Sequence, residues 1–378
     1  MAERKTATGS EYGLGPNQYP RGWFIVAEVK ELNEGPMAIS YFGQEFALYR
    51  GESGRVVMLD AYCGHMSTHL TAGKSAHIVA TDAQVEGDSI RCPYHAWRYD
   101  ADGHVDDIPY HDGPCPKSAS ITSYTVREVM GMILVWWNPE DATAEPDFEP
   151  PFLEMWNHPH AVHWELDHLG EVNMHGVEML DNMADVRHLG PTHGSPCEYF
   201  EVEAKDHMII QRQGGFLELY QAQLDTVTWY TGPGLLLSKQ TFGEVTMFEL
   251  IANTPVKDGV SKAWHGALSL AMNAPPTEED IAGARGLQAG VLEAFAADFD
   301  VWKNKNPCLK PMQLKTDGPF RLVRAWANQF YSNAEGAKAI QAETNGVHAV
   351  LNFPQASMEQ REAGFENDCY KSTADFTE

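Results

Sequence analysis

The chain has 378 residues, 43% of them hydrophobic and 21% charged, an ordinary globular balance in a chain long enough for two separate cores. Its formal net charge of −26 repels nucleic acid and anionic membranes and excludes both as expected partners. No run of eighteen apolar residues occurs, the polar start from Met1 to Gln18 lacks an apolar signal core, and six cysteines do not make a disulfide scaffold.

A cytoplasmic protein without a membrane span is therefore expected. Residues 1–20, with scattered Gly, Pro and Asn, read as a flexible lead. From Trp23 the chain turns to short strands. Phe46 to Tyr49 and Val56 to Leu59 flank Gly51-Glu52-Ser53-Gly54 as a hairpin. Asp102-Gly103 marks a second tight turn, and Met132 to Trp137 is a fully apolar strand. A Pro- and acid-rich stretch from Asn138 to Pro151 reads as a linker. The expected division is a small all-β domain over 21–150 and a mixed domain over 151–378. In the second, strands are expected over 207–213, 216–224, 244–252 and 262–271, and helices over 171–189, 277–305 and 334–343.

Two Cys/His pairs carry the first chemistry. Cys63-Gly64-His65 and Cys92-Pro93-Tyr94-His95 each follow an expected strand, where a loop projects both side chains. A [2Fe–2S] cluster with two thiolates on one iron and two imidazoles on the other needs this set. Zinc uses the same donors but more often takes Cys-x-x-Cys or longer His spacings. Pro93 and Tyr94 add a fixed turn and an apolar cover. The spare histidines His69 and His77 read as surface residues.

The segment from Asp181 to His193 carries the second. Asn182, Asp185 and His188 recur every third residue, so a helix would place them on one face. His193 would point about 140° away from His188 on the same helix. Pro191 disfavours helix at Gly190, so the helix is expected to stop near Leu189 and let His193 fold back. Two histidines and a distant carboxylate make the facial triad of non-haem Fe(II) oxygenases. Leu292, Phe295, Phe299 and Trp302 form an apolar helical stripe, and Asp298 lies along it. A carboxylate there needs a partner, which makes Asp298 the third ligand. Asp300 points away.

This ordered set resembles the oxygenase α-subunit of the Rieske non-haem iron oxygenases. Within them it most resembles the 3-ketosteroid 9α-hydroxylase oxygenase components. Local matches include Tyr19-Pro20-Arg21-Gly22-Trp23, Asp181-Asn182-Met183-Ala184-Asp185, the run from Asp298 to Lys305, and that from Arg324 to Tyr331. Two departures stand out. Residues 66–91 between the cluster motifs are longer than usual for the family, the excess falling around His77 to Glu86. Leu189-Gly190-Pro191-Thr192 replaces a more aromatic spacing between the two histidines.

The resemblance implies an α+β protein: an N-terminal all-β Rieske domain followed by a helix-grip catalytic domain around a central antiparallel sheet. It implies a [2Fe–2S] cluster on Cys63, His65, Cys92 and His95, and a mononuclear Fe(II) on His188, His193 and Asp298. O2 is the co-substrate. Electrons come from NAD(P)H through a ferredoxin or a ferredoxin-NAD(P)H reductase. It further implies a homotrimer in which one chain's cluster meets the next chain's iron. Asp185 matches the bridging carboxylate, bonding the neighbour's His95 and its own His188, and Asn182 matches a residue beside the iron. The substrate is expected to be small, apolar and bulky, a steroid or another polycycle. Trp229, Tyr230, Leu235, Leu236, Leu237, Phe242, Met247 and Phe248, with Trp302, are pocket candidates, though sheet core suits each equally well. C–H hydroxylation by a monooxygenase is the leading reading. Ring dihydroxylation or oxidative demethylation uses the same metals. An electron carrier without catalysis would need neither 150–378 nor the His/His/Asp set.

Overall fold

Strand-forming runs bounded by turn residues fold as expected at the start of the chain. The computed structural model describes residues 6–195, 197–217, 221–243, 245–364 and 368–369. The described chain divides into two units, one over Phe24–Asp147 and one formed by the residues up to Trp23 with those from Phe148 onward.

The smaller unit is all β, with three sheets. Strand β1 (Gly22–Glu28) precedes a four-stranded sheet begun by β2 (Met37–Tyr41), β3 (Gln44–Arg50) and β4 (Val56–Asp60). The hairpin between β3 and β4 pairs Arg50 with Val56. A second sheet holds β5 (Val85–Glu86), β6 (Ser89–Arg91), β7 (Arg98–Tyr99) and β8 (Val105–Asp107) in chain order. Its β7–β8 turn is closed by the Gly103 amide on the Asp100 carbonyl. Strand β9 (Ser123–Tyr124) completes the first sheet, and β10 (Val126–Val129) and β11 (Met132–Trp137) join β1. The long stretch between the cluster motifs contains a single helical turn, α1 (His77–Ala80), where His77 is exposed. His69 departs from expectation. Its Nδ1 accepts the Thr71 and Ala72 amides, so it anchors this loop rather than lying free on the surface.

In the larger unit, β12 (Pro151–Phe152) precedes a nine-stranded antiparallel sheet. Its members are β13 (Ala161–Val162), β14 (Asp167–Val172), β15 (Tyr199–Lys205), β16 (Met208–Leu217), β17 (Ala222–Thr231), β18 (Leu235–Phe242), β19 (Val245–Lys257), β20 (Val260–Leu270) and β21 (Gly346–Ala349). The helices are α2 (Gly176–Leu180), α3 (Leu189–His193), α4 (Glu278–Lys303), α5 (Phe320–Ala327), α6 (Ala334–Thr344) and α7 (Met358–Gly364). Helix α4 starts at a Thr277/Asp280 capping box, carries Glu278, Glu279 and Asp280 in its first turn, and ends at Lys303, all in accord with the helix dipole.

Three expectations change. The strand read over 216–224 is split, because β16 ends at Leu217 and β17 begins at Ala222; alternation on both sides of the turn hid the break. The helix read over 171–189 is a strand end, the short α2 and a 3-10 turn, because β14 bonds along β20 as far as Val172. The lead is also not loose over residues 6–20. Leu14 enters the core cluster of Phe330 and Tyr331, the Gly9 amide donates to the Asp258 carboxylate, and the Asn17 amide donates to the Tyr331 carbonyl. Buried apolar area and paired amides there offset the entropy of ordering a terminus.

Candidate metal centres and substrate cavity

The two cluster motifs lie on loops built alike. Cys63 follows β4 and Cys92 follows β6. In each loop the cysteine carbonyl accepts an amide four residues on, from Ser67 at 2.9 Å and Ala96 at 3.0 Å. In each, the cysteine amide returns to a carbonyl five residues on, Thr68 at 3.0 Å and Trp97 at 2.8 Å. Ser67 and Ala96, at φ 51° and 59°, close the turns in the left-handed region. Both thiols are buried, while His65 is exposed and His95 half-buried. The imidazole rings lie 4.8 Å apart, His65 stacks on Trp97, and Tyr94 packs on His95. The hydrogen bond shared with Cys92 pulls the Cys63 thiol well down, and the Tyr99 hydroxyl bonding its sulfur at 3.2 Å adds to this. Gly64 is required between ligands, since a Cβ there would meet the Ala119 carbonyl oxygen at 2.6 Å. Two buried sulfurs and two outer imidazoles suit a cluster of the two-Cys, two-His kind.

The second set converges in the larger unit. His188 precedes α3, and His193 ends it before Gly194, which takes φ 62° and stops the helix. Pro191 sits in the first turn of this short helix, where its missing N–H costs nothing, so it lies inside a helix rather than ending one. Asp298 comes from α4, among Phe295, Phe299 and Trp302. One ligand atom from each of His188, His193 and Asp298 lies within 4.8 Å of the other two. Nε2 of His193 is 3.3 Å from one Asp298 oxygen, and Nε2 of His188 is 3.9 Å from the other. The Asp298 carboxylate holds the His193 pKa up. Nδ1 of His188 donates to the Asp185 backbone carbonyl at 2.5 Å, which leaves the lone pair on Nε2, the nitrogen on the Asp298 side, for a metal. The Asp185 carboxylate, expected to bond the ring, is 3.9 Å from it and instead accepts the Arg187 and His188 amides. Gly318 backs this loop; a Cβ there would overlap the Ala184 carbonyl oxygen.

The triad opens on a cavity of about 1290 Å³ between α4 and the sheet, above the usual range for small-molecule sites. Asn182, Tyr230, Leu236, Phe242, Met247 and Trp302 line it. Trp229, Leu235, Leu237 and Phe248 do not. They lie on the opposite sheet face, because successive residues in a strand alternate sides and Trp229 pairs with Leu237 while Tyr230 pairs with Leu236. Sequence reading missed the polar share of the wall: Gln211, Gln213, Thr226, Thr228, Ser238, Gln240 and Glu249. Alternation in Leu235-Leu236-Leu237-Ser238-Lys239-Gln240-Thr241-Phe242 was the available signal, masked by the leucine triplet at its start.

Residues 22–125 match the Rieske [2Fe–2S] domain, and residues 135–331 match the 3-ketosteroid 9α-hydroxylase C-terminal domain. The oxygenase component of a 3-ketosteroid-9-alpha-monooxygenase from Rhodococcus rhodochrous is 26% identical over 348 residues, covering 88% of this chain and 89% of its own. A cholesterol 7-desaturase from Bombyx mori is 31% identical over 346 residues, covering 84% and 70%. Among solved structures, Pseudomonas putida NdmA with caffeine superposes with a TM-score of 0.66 at 15% identity, covering 87% of this chain and 96% of its own. Apo dicamba monooxygenase gives 0.60 at 18%, covering 84% and 98%.

Fold and cluster motif together define a Rieske oxygenase, an oxidoreductase with a [2Fe–2S] domain. The chain belongs to the 3-ketosteroid 9α-hydroxylase family of these enzymes. Among the described residues no helix is long and apolar enough to cross a membrane.

Proposed function

We propose that this enzyme hydroxylates a C–H bond of a bulky, largely apolar substrate of steroid size. The observation that carries this reading is the His188/His193/Asp298 set opening on a cavity of about 1290 Å³. The names of the relatives support it, one a 3-ketosteroid monooxygenase component and one a cholesterol desaturase.

In this reading 21–150 is the cluster domain and 151–378 the catalytic domain, with the described part of 1–20 packed as a strap. Cys63, Cys92, His65 and His95 hold the cluster. His188, His193 and Asp298 hold a mononuclear iron; two imidazoles and one carboxylate are the donor set such an iron takes. When bound, the iron supplies O2 activation and the cluster supplies single electrons. The chain's own work is positioning. The Asp185 carbonyl fixes the His188 tautomer, the Phe295–Phe299–Trp302 stripe seats Asp298, and the apolar wall orients the substrate and excludes water.

A ring of three chains sets one chain's His95 against the next chain's Asp185 carboxylate, which Asp185 keeps clear of its own His188 ring. A ferredoxin or ferredoxin-NAD(P)H reductase supplies electrons, and the cytoplasm is the compartment. The test is turnover of steroid enones and sterols with a generic reductase under labelled O2. One labelled oxygen in the product is expected. Two labelled oxygens, or loss of a methyl group, would replace hydroxylation by dihydroxylation or demethylation.

A further inference from the structure

One feature of the cavity wall serves no purpose in holding metal. Glu249 is buried, lines the cavity, and belongs to a row of polar side chains running across four strands. On one side Gln240 Nε2 donates to its Oε2 at 2.7 Å. On the other, His265 Nε2 meets its Oε1 at 3.2 Å. His265 is wholly buried, and its Nδ1 meets Asp167 Oδ2 at 2.9 Å. Gln288 of α4 donates to that same Asp167 oxygen at 2.9 Å.

Burial alone would push the His265 imidazole pKa down, but the bonds and charges of Glu249 and Asp167 outweigh it and the pKa is raised. His265 thus sets one ring nitrogen against each of two carboxylates, and both Glu249 oxygens are met by neighbouring nitrogens within the wall. Asp167 is a third exposed, so solvent screens its charge. A carboxylate has about four acceptor sites and no donor. Gln240 and His265 occupy one on each oxygen, and capacity remains toward the cavity.

A substrate that covers Glu249 must therefore satisfy it. A ketone oxygen there meets another acceptor and leaves the carboxylate short of a bond, which is costly in a dry site. An anionic substrate fares worse, since no lysine or arginine lines the cavity among the described residues. We infer that Glu249 selects an uncharged substrate carrying an alcohol hydroxyl, which donates to this carboxylate while the rest of the skeleton fills the apolar wall. This rests on the proposed bulky apolar substrate and narrows it to alcohols over ketones and acids. Glu249 is then a specificity residue, held in its rotamer by Gln240 and His265.

The test is equilibrium binding to the intact holoenzyme, read by tryptophan fluorescence, with two matched pairs: cholesterol against its conjugated ketone cholestenone, delivered in cyclodextrin, and decalol against decalone. The wild type is expected to prefer each alcohol roughly tenfold. Glu249→Gln keeps the shape and is expected to erase the preference, because an amide also donates to a ketone. Equal or tighter ketone binding by the wild type in both pairs overturns the inference, whether or not the variant folds. So does a preference that survives Glu249→Gln. If neither sterol binds but decalol is preferred to decalone, the steroid-sized reading fails and the hydroxyl selection stands. If sterols bind and are hydroxylated without preference, the reverse holds. If no probe binds, both fall.

Discussion

Nε2 of His193 lies 3.3 Å from a carboxylate oxygen of Asp298, though one residue ends a five-residue helix and the other sits deep in a 26-residue helix. Without a cation between them this is a charged hydrogen bond, and with one it is two corners of a binding site. Asp298 is nearly buried among aromatic rings, so its charge needs the partner it has.

Replacing Asp298 by alanine removes the only carboxylate of the set. Iron content is expected to fall from about three to about two per chain, with turnover lost and the cluster absorbance unchanged. Elemental analysis beside the visible spectrum checks this; full iron retention would place the third ligand elsewhere.

Cys92→Ala takes one thiolate from a loop whose twin still holds Cys63 and His65. The reddish-brown cluster absorbance is expected to disappear, while about one iron per chain still binds in the larger unit. A cluster spectrum surviving in this variant contradicts the ligand assignment.

Asp185 offers a sharper separation, because its backbone rather than its side chain orients His188. Asp185→Ala leaves that carbonyl in place, so both metals are expected to stay bound. Turnover is expected to drop about 100-fold, since the carboxylate proposed to meet the neighbouring chain's cluster is gone. Single-turnover product formation against iron content decides it. Wild-type turnover would exclude an intersubunit route through this residue.

His175 caps α2 by accepting the Val177 amide on Nδ1 and is held neutral by burial, its pKa pushed down to about 4. A histidine with a depressed folded pKa contributes stability in full above its unfolded value near 6.5, and loses it as pH falls toward 4. The loss attributable to this group is up to about 3 kcal/mol. His175→Asn, which caps without titrating, is expected to flatten that part of the pH dependence. Urea unfolding of both proteins between pH 7 and about 4 measures the difference.

Glu201 is fully buried and paired with Arg212 at 3.1 Å and Arg361 at 2.5 Å. Glu201→Ala leaves the buried Arg212 guanidinium with Glu203 as its one remaining carboxylate, at 2.8 Å, and unfastens α7. A destabilisation of about 3 kcal/mol is expected by denaturant unfolding.

Much of the site was legible because its parts are local. Cys-x-His and Cys-x-x-His each fit within one tight loop, and His188 and His193 bracket a single turn. Asp298 was legible for another reason: a lone carboxylate on an apolar helical stripe is too costly to leave unpaired. The readings that failed depend on partners far along the chain. Residues 171–172 are strand because β20 is there to bond them. Trp229 and Tyr230 are adjacent and equally apolar, yet only Tyr230 reaches the cavity, because the sheet's register decides which side faces α4.

By itself the sequence determined the candidate ligand residues, the spacing within each motif and the order of the two units, since these depend on backbone geometry over a few residues. Only the tertiary structure decided which sheet face becomes cavity wall, that Glu249, His265 and Asp167 stand in one row, and that a backbone carbonyl rather than a carboxylate steers His188. Such relations come from strand register and helix docking, where long-range packing chooses among local arrangements of similar energy.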